Sequence, residues 1–310
     1  MTKRRRPAPR RILSLTAGTS AGYPCRRGSN AGKGGFEASV NSAVAVAFEI
    51  RGDGIKTMRV AAFFSCGEPS AVMAKLALAS GNEVAIVRCV VPNEHADNDR
   101  FAADCERWFD FPIIEIRSTE YADCWEVWEK RRYLNGIQGA PCTIEMKKRP
   151  RQDFERDWQP HAQMYGFTVD EKDRAERFRE QNPEIMLLTP LIEFGLSASD
   201  CAAIVERAGI ARPEMYRLGF KHNNCRTCVK ARSPGYWANV RRHFPDDFAR
   251  MGRLSRELKW TPCRASDDTP IWLDELPADI EPKDDSAAID CSLLCYLAEQ
   301  RISKQKRELP

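Results

Sequence analysis

Ser65-Cys66-Gly67-Glu68-Pro69-Ser70 joins an apolar, strand-forming run, Arg59–Phe64, to an Ala/Leu/Met-rich stretch with helical spacing. A strand–turn–helix junction of this kind makes an anion site. The N–H groups of the turn and first helical turn lack intrahelical partners, and the helix dipole favours negative charge there. Lys147 and Lys148 lie at the expected start of a later helix. Lysines in that position oppose the dipole, so the pair points to an anionic partner such as phosphate. A third group is Cys225-x-x-Cys228, in a polar loop. Two thiols at that spacing can share a metal or act as a redox pair. One pair does not close a metal site, and Cys142, Cys291 and Cys295 are the candidates to complete it. Three or four such thiolates suit an iron–sulfur cluster or a zinc ion. The remaining cysteines (Cys25, Cys66, Cys89, Cys105, Cys124, Cys201 and Cys263) read as packing residues, with Cys66 set apart by its place in the turn.

The elements that must position these groups alternate. Strands are expected over 59–64, 83–91, 112–116, 162–169 and 185–189. Helices are expected over 69–80, 96–109, near 121–132, and over 142–157, 171–180 and 197–208. Alternation of this kind implies an α/β fold, a doubly wound parallel sheet covered on both faces. Its ligands belong beyond the carboxyl ends of the strands, which brings Ser65–Ser70, Asn93–Asn98 and the residues after Gly166 to one edge. From about 210 the pattern changes to a cysteine-bearing helical extension, in which Tyr236–Pro245 leads into a helix through Arg256 and 260–276 reads as a small hairpin. The expected divisions are therefore a basic leader over 1–57, a nucleotide-binding α/β domain over 58–209 and the extension over 210–310.

Charge is unevenly spread. Residues 1–57 hold eleven Lys/Arg and three Asp/Glu, so a chain of net charge +4 has a mildly acidic body. Basicity is then no argument for nucleic-acid binding by the fold itself. The leader is expected to be disordered, since it has little apolar surface to bury. No stretch approaches the roughly 18 apolar residues of a membrane helix. Twelve cysteines, several inside apolar runs, are not an evenly spaced disulfide framework. They lead to the expectation of a reducing, cytoplasmic compartment.

Taken together, these segments resemble the PP-loop ATP pyrophosphatase superfamily, and within it the phosphoadenosine phosphosulfate (PAPS) reductase-like family. The usual loop is Ser-Gly-Gly-x-Asp-Ser. Ser65, Gly67 and Ser70 match, while Cys66 replaces the first Gly and Pro69 the Asp. Asn93–Phe101 stands where the family contacts the adenosine, with Glu94, His95 and Asn98 as the candidates. Gly139–Lys148 resembles the Cys-Thr…Lys turn of reductase-like members. Gly166–Arg174 resembles Gly-Ile-Arg-x-x-Glu-Ser-x-x-Arg, with Gly166, Glu171 and Arg174 matching and Thr168 at the Arg position. Cys291-Ser-Leu-Leu-Cys295 is faintly similar to the Cys-bearing tail of PAPS reductases. The resemblance implies a HUP/PP-loop type sheet that binds ATP or a related adenylyl nucleotide with Mg²⁺. It implies adenylation of a substrate with pyrophosphate release, followed by sulfur or nitrogen attack. It implies Ser65, Ser70, Lys147 and Arg174 as catalytic residues, and Ser65, Cys66, Gly67, Glu68, Ser70, Glu94, His95, Asn98, Gly166 and Glu171 as nucleotide contacts. A [4Fe–4S] cluster, or alternatively Zn²⁺, would sit at the cysteines. The acceptor is open, nucleic acid among the candidates, and a sulfur-donor protein is an expected partner. Two alternatives stand beside this reading. One is a thiol-dependent sulfonucleotide reductase using Cys291 or Cys295. The other is a degenerate nucleotide- or nucleic-acid-binding module with structural zinc.

Overall fold

The computed structural model describes residues 57–290 and 292–304. The leader other than Thr57, and Cys291, lie outside the described residues.

Five parallel strands form one sheet in the order β3-β2-β1-β4-β5, with β1 at Arg59–Phe63, β2 at Glu83–Cys89, β3 at Ile113–Ile116, β4 at Ala162–Met164 and β5 at Leu187–Leu188. β1 pairs with β2 from Arg59↔Glu83 to Phe63↔Val87, and with β4 from Val60↔Ala162 to Ala62↔Met164. β1 and β2 are buried on both faces, which is why they read as unbroken apolar runs rather than as alternation. The strand order reverses between β1 and β4, the crevice where open α/β sheets bind ligands.

Helices cover both faces. On one, α1 (Glu68–Leu78) and α2 (Asp97–Phe109) enclose the larger core, in which Phe64, Met73, Ile86 and Phe101 are buried. Pro69 sits in the first turn of α1, where its missing N–H breaks no helical bond. On the other face a smaller cluster of Ala61, Phe63, Ala85 and Val87 is packed by Phe154, Trp158 and Tyr165. Along the chain between β3 and β4 come α3 (Cys124–Arg131), α4 (Pro141–Thr143), a π turn over Ile144–Lys148, and α5 (Arg149–Trp158). Then follow α6 (Lys172–Gln181), α7 (Pro190–Glu193), α8 (Ala198–Arg207) and α9 (Glu214–Arg217).

The extension adds α10 (Pro234–His243), α11 (Pro245–Glu257) and α12 (Leu293–Lys304). α11 is the helix expected through Arg256, and the segment leading into it from Tyr236 is itself helical, with Pro245 separating the two. The preceding Phe244 is held outside the helical region at φ −136°, as a residue before proline tends to be. The expected hairpin over 260–276 is reduced to a single antiparallel bridge, Arg264↔Pro270, followed by a 3₁₀ turn at Leu273–Glu275. A second core joins Trp125, Trp128 and Met146 to Met215, Trp237 and Met251, so it draws on both sides of residue 209. α12 returns to the first core through Cys295 and Ala298.

Candidate functional site

A cavity of about 340 Å³ opens at the β1/β4 crevice. Its walls include Ser65, Gly67 and Ser70 from the loop after β1, Gly166 from the segment after β4, and Lys147 and Arg174. The Ser70 hydroxyl shapes the loop. It accepts from the Ser65 N–H at 3.1 Å and the Gly67 N–H at 3.2 Å, and donates to the Gly67 carbonyl at 2.8 Å. The left-handed residue of the turn is Cys66, at φ 57°, and Gly67 is extended at φ −96°. Gly67 is small for another reason: a Cβ there would stand 3.0 Å from the Tyr216 hydroxyl. That hydroxyl stands beside the backbone N–H groups of Asn223 and Glu68. Gly166 is tighter still, since its Cβ would meet the Ser70 backbone nitrogen at 2.8 Å. This close approach explains why β4 stops at Met164, short of the expected strand over 162–169. The chain leaves the sheet to pass over the loop.

Lys147 does not begin a helix, as the sequence suggested, but lies in the π turn within the helical run from 141 to 158. Such turns re-aim side chains and recur at functional sites. Its ammonium reaches Glu94 at 2.8 Å. Burial pulls its pKa down, but the charges of Glu94 and Cys225 outweigh that and hold the ammonium well above its ordinary value. Lys148 is exposed and does not line the cavity. Glu171 and Arg174 pair at 2.6 Å along the cavity wall.

Several expected nucleotide contacts stand behind the wall rather than in it. Glu68 is 1% exposed and held by Arg212 at 2.6 Å. Burial raises its carboxyl pKa against the pull of that arginine. The Cys66 thiol is buried, pushed up to about 12 by burial, and points at the Asn98 carbonyl. His95 accepts from the Asp97 N–H at 3.1 Å and packs near Phe244. Asn98 donates to Glu94 at 3.0 Å. These residues support the loop and Glu94.

Asn223 is the joint that sequence reading missed. Its amide nitrogen donates to the Cys66 carbonyl at 2.6 Å and to the Asn98 side chain at 2.7 Å. Its Oδ1 is buried without a partner, and the residue lines the cavity. The one available signal was its place two residues before Cys225.

The cysteines converge around α3. Cys142 and Cys225 lie beside the thiol of Cys124, which is pushed far above its ordinary pKa, chiefly by the neighbouring Cys142 sulfur. The Cys124 thiol in turn lowers Cys142, against burial. Cys228 is raised to about 11 by burial, against the pull of the nearby Lys230 N–H. The Trp128 indole N–H is buried, makes no well-formed hydrogen bond, and stands beside the Cys142 sulfur, where it favours the thiolate. Asn93 ties the parts together: its side chain accepts from the Cys124 N–H at 2.6 Å and its carbonyl from the Arg226 N–H at 3.0 Å. The Tyr236 hydroxyl accepts from the Cys228 N–H at 2.9 Å.

Two corrections follow. Cys124, read from the sequence as packing, is a member of this group. Cys295 is not: it is 0% exposed in the first core, with its thiol against the Asp200 carbonyl and Arg207. The apolar side of α12 docks on α8, and that docking carries Cys295 away from the cysteines around α3. Among the described residues, no group of three or more His, Cys, Asp or Glu is set as it stands to hold a single metal ion.

No protein-family model and no curated protein matches this chain. Among solved structures it is similar to phosphoadenylyl-sulfate (PAPS) reductase from Candida auris, in a phosphate complex, at 10% identity and a TM-score of 0.42. That similarity covers 60% of this chain and 87% of the other.

Proposed function

We propose that the chain binds ATP or a related adenylyl nucleotide in the β1/β4 cavity, activates an acceptor by adenylation, and passes it to a sulfur nucleophile. The observation that carries this reading is the link through Asn223. It fastens the Ser65–Ser70 loop to the Cys225–Cys228 segment, so the phosphate loop and the cysteine group are parts of one framework.

The Ser65 hydroxyl, Lys147 and Arg174 would face the phosphates, with the Ser70 hydroxyl holding the loop in shape for them. Phe63 and Tyr165, stacked at 5.2 Å, offer an aromatic wall suited to a base. Both acids on the wall are engaged, Glu94 by Lys147 and Asn98, and Glu171 by Arg174. Mg²⁺ would therefore enter on the phosphates of the nucleotide rather than on protein carboxylates. In the first step an acceptor oxygen attacks the α-phosphorus. The new O–P bond forms as the bond to pyrophosphate breaks, and the basic side chains offset the charge growing on the leaving group. In the second step the sulfur nucleophile bonds to the activated centre and AMP departs with the oxygen.

Cys124, Cys142, Cys225 and Cys228 are the residues that would hold a [4Fe–4S] cluster or zinc. Thiolates are the ligand type that either group takes, and as the side chains stand no three of them are set for a single ion, so binding would draw the four sulfurs together. A cluster bound there would supply a place to hold sulfur beside the nucleotide.

The test is product analysis with ATP and Mg²⁺, water serving as acceptor. AMP and pyrophosphate are expected, with loss of both in Lys147→Ala. Release of ADP and phosphate, or turnover unaffected by that substitution, would refute the reading.

A further inference from the structure

A second cavity, also of about 340 Å³, adjoins the first and shares His222 and Asn224 with it. Cys228 forms part of its wall, so it borders both the nucleotide cavity and the cysteine group. Its charge is one-sided. Lys221, Lys230, Arg232 and Lys283 line it, against a single acid, Asp285. Arg232 is paired with Asp268, and Lys283 with Asp285 at 2.7 Å. Lys221 and Lys230 have no ion-pair partner among the described residues, and both are exposed. Two unpaired ammonium groups at one concavity attract a compact anion. The Phe220 and Tyr236 rings, 5.4 Å apart, add aromatic surface to the same wall. Cations beside aromatic faces are the combination that holds a phosphate together with its base.

We infer that this cavity seats a phosphate-bearing acceptor, a nucleotide unit whose phosphate meets Lys221 and Lys230. The inference rests on the proposed function, because it places the acceptor between the nucleotide and the cysteines. The phosphate could belong to a free nucleotide or to a nucleic-acid strand, and the two sources are separable.

The experiment uses the full chain with two probes, thymidine 5′-monophosphate and a fluorescein-labelled ten-residue oligothymidylate. Each is titrated against wild type and against a double variant, Lys221→Glu with Lys230→Glu. At least one probe should bind the wild type and lose about tenfold or more in affinity in the variant, since two contacts reverse sign. Binding of the monophosphate assigns a free nucleotide. Binding of the oligomer alone, weakening steeply with salt, assigns a strand. ATP affinity and melting temperature should be unchanged in the variant, because both lysines are exposed and lie outside the nucleotide cavity. If neither probe binds, or binding ignores the double substitution in a folded variant, the inference is overturned. Failure of wild type to bind ATP while a probe still binds would instead overturn the nucleotide reading alone.

Discussion

Gly166 shows how a single hydrogen atom in place of a side chain can decide the shape of a site. The backbone after β4 crosses the Ser65–Ser70 loop so closely that a Cβ at Gly166 would stand 2.8 Å from the Ser70 nitrogen and 2.9 Å from its Cα. Both are backbone atoms at the start of α1 and cannot swing aside. Gly166→Ala should therefore destabilise the protein by about 1–3 kcal/mol, the usual cost of overpacking. Chemical denaturation would measure this, and the loop displacement should also weaken nucleotide binding. The matching of Gly166 to a family pattern was legible in the sequence, but its steric reason was not, because β4 and α1 are far apart in the chain. Cys124 was illegible for a related reason. Nothing in its immediate neighbours distinguishes it from a packing thiol, and its partners Cys142 and Cys225 follow no spacing rule with it. Asn223 lay inside a segment already singled out for Cys225, yet its contacts to Cys66 and Asn98 exist only in the folded chain.

At the scale of the elements, the alternation of strands and helices was legible because buried parallel strands and capped helices leave strong local patterns. Strand ends and the π turn were less so, since each depends on what the segment packs against. The start of α2 carries a testable electrostatic lock. Asp97 accepts two bonds from Arg100, both at 2.7 Å, and one from the Glu214 N–H at 2.9 Å, tying α2 to α9. The Arg100 bonds hold the Asp97 carboxyl below its ordinary value of 3.8, against the opposing effect of burial. A depressed carboxyl stabilises the fold fully above its unfolded pKa and loses that contribution as pH falls through the folded one. Asp97→Ala should thus cost about 1–2 kcal/mol at neutral pH, allowing for the partial exposure of the pair. The gap between variant and wild type should stay constant down to mildly acidic pH and close only below the ordinary carboxyl range. Denaturation midpoints across pH would check this, and a gap that instead widened with acid would contradict the assignment.

At the scale of the molecule, the sheet and the extension share work that neither sequence half announced. The second core unites α3 and the π turn with α10 and α11, and this packing brings Cys124 and Cys142 to Cys225 and Cys228. Cys225-x-x-Cys228 was visible as a motif and Cys142 as a candidate, whereas the choice of Cys124 over Cys295 required the tertiary packing. Chain purified without oxygen should contain bound metal, with the broad visible absorption of iron–sulfur if a cluster is present or with zinc and no colour if it is not. Cys124→Ser should lower the metal content per chain while leaving the far-ultraviolet circular dichroism intact. Unchanged metal content in that variant, with metal lost only on substituting Cys295, would contradict the grouping.

The central claim is that the β1/β4 cavity binds an adenylyl nucleotide through the Ser65–Ser70 loop. Isothermal titration of ATP against the full chain and its Gly67→Val variant tests it most directly. The variant places a branched side chain where even a Cβ stands 3.0 Å from the Tyr216 hydroxyl, and it obstructs backbone approach to the loop. Saturable binding by wild type, weakened by about tenfold or more in a variant with an unchanged circular dichroism spectrum, is the predicted result. Absence of binding by the wild-type chain, or equal affinity in the folded variant, would contradict the account.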